Sequence, residues 1–143
     1  MYNTEMRRII PAVVAVALLA LTGCASAPSL QSELRSTITA SDGGSFTLAA
    51  LDSVDGSDFL VVCPYESTSS VEARLGFSWA DTPDYSQVDS RQTIAFIDDG
   101  EVVSHVELRR DEVDFCAAEQ WEVLPVGTAL DVARAGDILN VTV

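Results

Sequence analysis

The sequence predicts an α+β fold: a mostly antiparallel sheet of about six short strands, two or three short helices on one face, and one disulfide. Three observations lead there. Short alternating runs are joined by glycine turns, most clearly 92–97, then Asp98-Asp99-Gly100, then 101–109. Leu30, Leu34 and Ile38 repeat at a spacing of four, which puts them on one helix face. Cys63 and Cys116 are left as an even pair once Cys24 has a role of its own.

The elements follow in order. Residues 1–8 are a short polar start ending in Arg7 and Arg8, and residues 9–21 are an unbroken apolar run. That run is shorter than the roughly 20 residues a membrane-spanning helix needs, and it has the length of the apolar stretch of a secretory signal. Ser29 is placed to cap the helix that starts at Leu30, and Ser41-Asp42-Gly43-Gly44 breaks it. Residues 46–51 alternate weakly and read as a strand, and Asp55-Gly56 as a turn. Phe59-Leu-Val-Val-Cys63 is apolar on both faces, so it reads as a central strand that Pro64 ends. Residues 67–76 read as a second helix, with Ser69 and Glu72 as a capping box and Gly76 just past its end. Val71 and Leu75 then face the core.

Residues 81–91 are polar and read as a loop. In the hairpin that follows, Val102, Ser104, Val106 and Leu108 share one face; Val103, His105, Glu107 and Arg109 take the other. Residues 111–120 are acidic, with room for a helical turn. Residues 128–133 and 138–143 alternate around Ala135-Gly136-Asp137, a terminal hairpin.

The apolar run leads directly into Leu21-Thr22-Gly23-Cys24. This resembles the bacterial lipobox, in which the cysteine thiol receives a diacylglyceryl group and the signal is cut just before it. The resemblance implies a signal peptide over 1–23, a lipidated tether over 24–29 and a single domain over 30–143. It also implies an extracytoplasmic, membrane-anchored protein, on the outer face of the cytoplasmic membrane in a single-membrane envelope. Several acyl chains on Cys24 anchor stably, whereas one chain is marginal.

Charge bounds the partners. The chain has 22 acidic and 8 basic residues, all arginine, for a net charge of −14. Loss of 1–23 removes Glu5, Arg7 and Arg8 and takes the charge to −15. A phosphate-binding surface needs clustered positive charge, so nucleic acid is not an expected partner. An acidic domain also stands off anionic lipid rather than lying flat on it. In an oxidising compartment Cys63 and Cys116 are expected to pair, and without Cys-x-x-Cys the pair reads as structural.

The chemistry-bearing candidates are few. The single histidine, His105, is next to Ser104, but neighbours in a strand point to opposite faces and cannot pair as base and nucleophile. Paired carboxylates could serve a wall-active hydrolase. Asp52, Asp55 and Asp58 gather oxygens around Gly56, which calcium favours, though not at EF-hand spacing. Arg109 and Arg110 could clamp a partner's carboxylate or answer the nearby Glu107, Asp111, Glu112 and Asp114. Tyr65 and Trp79 are core-edge aromatics that could anchor an interface.

Two wider resemblances rest on this order. Val62-Cys63-Pro64-Tyr65, the helix ending Leu75-Gly76, Trp79, Ile94-Ala-Phe96 through Gly100-Glu-Val-Val103, and Arg110 to Phe115 resemble a group of small secreted bacterial proteins and lipoproteins. In that group these positions imply structural roles: a strand end, a helix cap and a hairpin. The helix-Leu-Gly-hairpin order is also similar to the SmpA/OmlA-type small lipoproteins of outer-membrane assembly. Those have two consecutive helices before the sheet, and their Gly-x-Thr approach to the second helix is missing here.

The expected role is a lipid-anchored cell-envelope protein: a non-catalytic binding or accessory module that contacts an envelope protein or the wall, with no cofactor. The alternative is a small-ligand or calcium-binding lipoprotein, and the third reading is the hydrolase.

Overall fold

A computed structural model describes residues 29–118 and 121–143; the signal segment, Cys24 and the rest of the tether to Pro28 lie outside them. In chain order the elements are α1 (Leu30–Ala40), β1 (Ser45–Phe46), a 3-10 turn (Leu48–Ala50), β2 (Asp58–Val62), α2 (Thr68–Leu75), β3 (Arg91–Asp98), β4 (Glu101–Arg109), β5 (Val113–Asp114), β6 (Leu124–Pro125), β7 (Leu130–Ala135) and β8 (Ile138–Thr142). Helices and largely antiparallel sheet are both present, and Cys63 is bonded to Cys116.

The single six-stranded sheet is corrected to two four-stranded sheets. One has the order β4-β3-β2-β6, the other β1-β7-β8-β5. The difference comes from strands too short to show a period. Residues 46–51 form only the end of β1, which pairs with β7, before the chain turns into the 3-10 turn. The helical turn expected within 111–120 is absent from its described residues; instead β5 runs parallel to β8. Two described α-helices form, not three.

Local chemistry explains the longer elements. Ser29 Oγ accepts from the Ser32 amide at 3.3 Å and opens α1, whose Leu34 and Ile38 are buried. The second helix is capped by Ser67, not Ser69: Ser67 Oγ accepts from the Ser70 amide. That start leaves Glu72 too deep in the helix to close a capping box. Its carboxylate accepts instead from the Trp79 amide at 3.0 Å. Gly76 takes the left-handed conformation at φ 80° and returns its N–H to Glu72 O, ending the helix.

In the β3–β4 hairpin both turn residues, Asp99 and Gly100, have positive φ (48° and 77°), as a tight two-residue turn requires. β2 lies inside its sheet, and all of Phe59–Val62 is buried. β4 forms an edge. Its Val106 and Leu108 point inward, while Val103, His105, Glu107 and Arg109 are exposed. The Gln31 amide covers part of that edge by donating to Glu107 O at 3.0 Å.

The core contains the fully buried Phe59, Phe96, Phe115, Leu108 and Leu130, with Trp121 packed 6.0 Å from Phe59 and 5.8 Å from Phe115. One polar side chain joins the sheets. Gln92 is fully buried on β3; its Nε2 donates to Val113 O at 2.6 Å, and its Oε1 accepts from Phe115 N at 2.9 Å. It thereby does for β5 what a neighbouring backbone would do.

Candidate functional site

The chain leaves β2 through Cys63 and Pro64 and enters a strained turn. Tyr65 holds φ 66°, a left-handed conformation that costs a bulky residue on the order of 1 kcal/mol or more. Two backbone bonds impose it: Tyr65 N–H donates to Tyr85 O at 2.9 Å, and Tyr85 N–H donates to Glu66 O at 2.8 Å. The result is a tyrosine side chain 70% exposed.

Beneath it Glu66 is buried and paired. Its carboxylate accepts from the Cys63 amide at 2.7 Å and lies 2.6 Å from Arg74 Nη2. Arg74 reaches from α2 to Val61 O and Trp121 O as well. Sequence reasoning missed this pair. A signal existed: Arg74 is the one basic residue between Arg35 and Arg91, on a helix that buries Val71 and Leu75.

The other wall comes from the segment after β4. Arg110 grips Asp114 with Nε and Nη2, at 3.0 and 2.8 Å, and donates from Nη1 to Asp89 O at 3.0 Å. Asp114 accepts in turn from the Cys116 amide at 2.7 Å. The walls enclose an open depression of about 420 Å³, lined by Pro64, Tyr65, Arg110, Ala117 and Ala118 around the Cys63–Cys116 bond. It offers an aromatic rim, small apolar contacts and a guanidinium already neutralised by Asp114.

Of the four residues expected to contact a partner, the structure brings Tyr65 and Arg110 together. Arg109 is apart from them, exposed and paired with Asp111. Trp79 is only 8% exposed and is part of the core. Arg110 spends much of its hydrogen-bonding capacity on Asp114 and the loop at Asp89. All six arginines of the described residues are ion-paired with acids.

Asp52, Asp55 and Asp58 are not gathered into a metal site. The loop is held through its backbone: the Asp52 and Ser53 amides donate to the two Glu33 oxygens at 2.6 and 3.0 Å. The Ser53 hydroxyl and these amides keep the Glu33 carboxyl below its ordinary value. Asp58 accepts from the Ser57 hydroxyl instead. Among the described residues no three His, Cys, Asp or Glu side chains converge where a metal ion could be held.

A second, smaller cavity of about 120 Å³ lies where the 77–90 loop covers the outer face of β3 and β4. Tyr85 Oη is 2.7 Å from Thr93 Oγ1 and donates to Glu107 Oε2 at 2.9 Å, while Arg91 donates to Glu107 Oε1 at 2.8 Å. Burial, and then the Glu107 carboxylate, pushes the Tyr85 phenol up to about 12. His105 meets Trp79 edge to face at 5.2 Å between ring centroids. Ser104 points the other way, its hydroxyl buried without a hydrogen-bond partner, so serine and histidine do not form a catalytic pair.

Compared with known proteins, the chain matches no family model, no curated protein and no solved structure. Among the described residues no helix is long and apolar enough to cross a membrane.

Proposed function

We propose that this chain is a lipid-anchored, extracytoplasmic binding module that docks an envelope protein in the depression between Tyr65 and Arg110. The observation that carries the reading is Tyr65 itself. A large aromatic ring held out into solvent by a left-handed backbone gains nothing from the core, and it is the type of side chain that anchors an interface. Pro64, Ala117 and Ala118 complete an apolar seat beside it. The partner therefore presents an apolar side chain to the disulfide, and a hydrogen-bond acceptor to the Arg110 N–H groups that Asp114 leaves free.

The lipobox-like Leu21-Thr22-Gly23-Cys24 supports the anchor. From Cys24 to Ser29 is five residues, at most roughly 17 Å of extended chain. A domain held that close meets membrane partners at high effective concentration, so weak contacts suffice. The net charge keeps it off anionic lipid and leaves its protein-facing surfaces free.

The test is photo-crosslinking in cells. A photoreactive residue at position 65 should capture one stoichiometric partner, and the same probe at exposed Val143 should not. Tyr65→Ser should weaken recovery of that partner while leaving the domain folded. An abundant, membrane-bound protein that captures nothing at position 65 overturns the reading. Loss of fatty-acid labelling in Cys24→Ser tests the anchor separately.

A further inference from the structure

We propose that the cavity under the 77–90 loop is a binding site for a primary ammonium group at the tip of an unbranched alkyl chain. Its walls are preformed. Trp79, Tyr85 and Thr93 are all more than nine-tenths buried, and Tyr85 and Thr93 are fixed to each other by their hydroxyls. Asp81, His105 and Glu107 complete the lining.

Hydrogen-bonding capacity decides the class of ligand. The Tyr85 and Thr93 hydroxyl protons are drawn into the chain that ends on Glu107. What this side of the cavity offers an occupant is therefore lone pairs, with the Asp81 carboxylate as the unpaired charge at its rim. An anion would meet the Asp81 carboxylate at the rim and finds no free guanidinium, because the nearby Arg91 is already paired with Glu107. A metal ion finds no three converging ligands. A cation carrying several N–H donors fits both the charge and the lone pairs. The domain's net negative charge raises its local concentration.

Size narrows the class further. About 120 Å³ is well below the roughly 300 Å³ at which drug-sized pockets begin. It takes the end of a chain rather than a whole ligand. Guanidinium is broad and planar, whereas ammonium is a compact point charge on a slim stem. The ligand therefore enters tip first, as the end of a diamino-acid side chain would.

The experiment uses the full chain with its disulfide intact and n-butylammonium chloride as the probe. The Trp79 indole and His105 ring signals are followed by NMR, with sodium chloride and tetramethylammonium chloride as controls at equal ionic strength. Saturable shifts at millimolar concentration are expected for n-butylammonium only. Glu107→Gln should weaken binding about tenfold, as loss of one charged hydrogen bond does. Because Glu107 also holds Tyr85 and Arg91, Asp81→Asn at the exposed rim is the second variant; it should weaken binding with unchanged stability. Shifts that fail to saturate, equal shifts with either control salt, or full binding by both variants would each overturn the proposal.

Discussion

Arg110 and Asp114 face each other through two parallel hydrogen bonds, and the same carboxylate carries the Cys116 amide. One guanidinium thus ties the Asp89 loop, β5 and the disulfide segment together. Its chain neighbour Arg109 makes only an exposed contact with Asp111. The two arginines should therefore behave differently. Arg110→Ala is expected to cost about 2–3 kcal/mol, because it leaves the buried Asp114 carboxylate without its cation. Arg109→Ala should stay within about 0.5 kcal/mol. Urea unfolding of both variants checks the ordering, and equal costs would contradict it.

The Cys63–Cys116 bond closes a span of 53 positions. Loop-closure entropy gives it about 4 kcal/mol of stabilisation, a large share of what a domain of this size has. The double variant Cys63→Ala/Cys116→Ala should show that loss in chemical denaturation. Thiol labelling of the native oxidised chain should find neither cysteine reactive, and a labelled Cys63 or Cys116 would show that the bond does not persist in solution.

Gln92 bridges the sheets by satisfying one donor and one acceptor of the 113–115 backbone. Gln92→Leu keeps the volume close but leaves Phe115 N–H and Val113 O unpaired in a dry interior. About 2–4 kcal/mol should be lost. Hydrogen exchange at the Phe115 amide is the specific readout. It should accelerate more than exchange in the β3–β4 hairpin, whose ladder is untouched. Uniform acceleration would mean that Gln92 only fills space.

What was legible in the sequence was local. Ser29 before Leu30, Gly76 after Leu75 and Asp99-Gly100 between two alternating runs each act within a few residues, and each has its expected role. The central strand was legible because Phe59–Val62 is apolar on both faces. The second sheet was not. β1 and β5 are two residues long, and their partners lie beyond residue 129, so neither period nor turn chemistry announces them. The cap of α2 was misplaced because Ser67, Ser69 and Ser70 all offer hydroxyls, and the choice depends on where Glu72 is needed.

The sites divide the same way. The aromatic and arginine types that can contact a partner could be picked out, but their exposure could not. Trp79 is buried by the 77–90 loop, while Tyr65 is pushed out by bonds to Tyr85, twenty positions away in sequence. The ion pair of Glu66 with Arg74 and the Thr93–Tyr85–Glu107–Arg91 chain are products of tertiary packing. No spacing rule reaches them.

Tyr85 supplies a pH test of that chain. Burial pushes its phenol up to about 12 from an ordinary value of 10.0, with a further rise from Glu107 and opposing effects from Thr93 and Arg91. The folded state therefore holds the phenolic proton more tightly than the unfolded chain does. Between about pH 10 and 12 the unfolded chain has lost this proton and the folded domain has not, so the folded state binds more protons. Stability must then fall as pH rises through this window. The contribution is fully present below pH 10 and gone above 12. Tyr85→Phe cannot ionise, so its stability should decline less over the same range when both proteins are unfolded by urea at a series of alkaline pH values. Tyrosinate absorbance gives an independent reading, because one phenol of the folded wild type should titrate late and be missing from the variant. Parallel stability curves for the two proteins would mean that Tyr85 is free to ionise in the fold and that the Glu107 contact does not hold in solution.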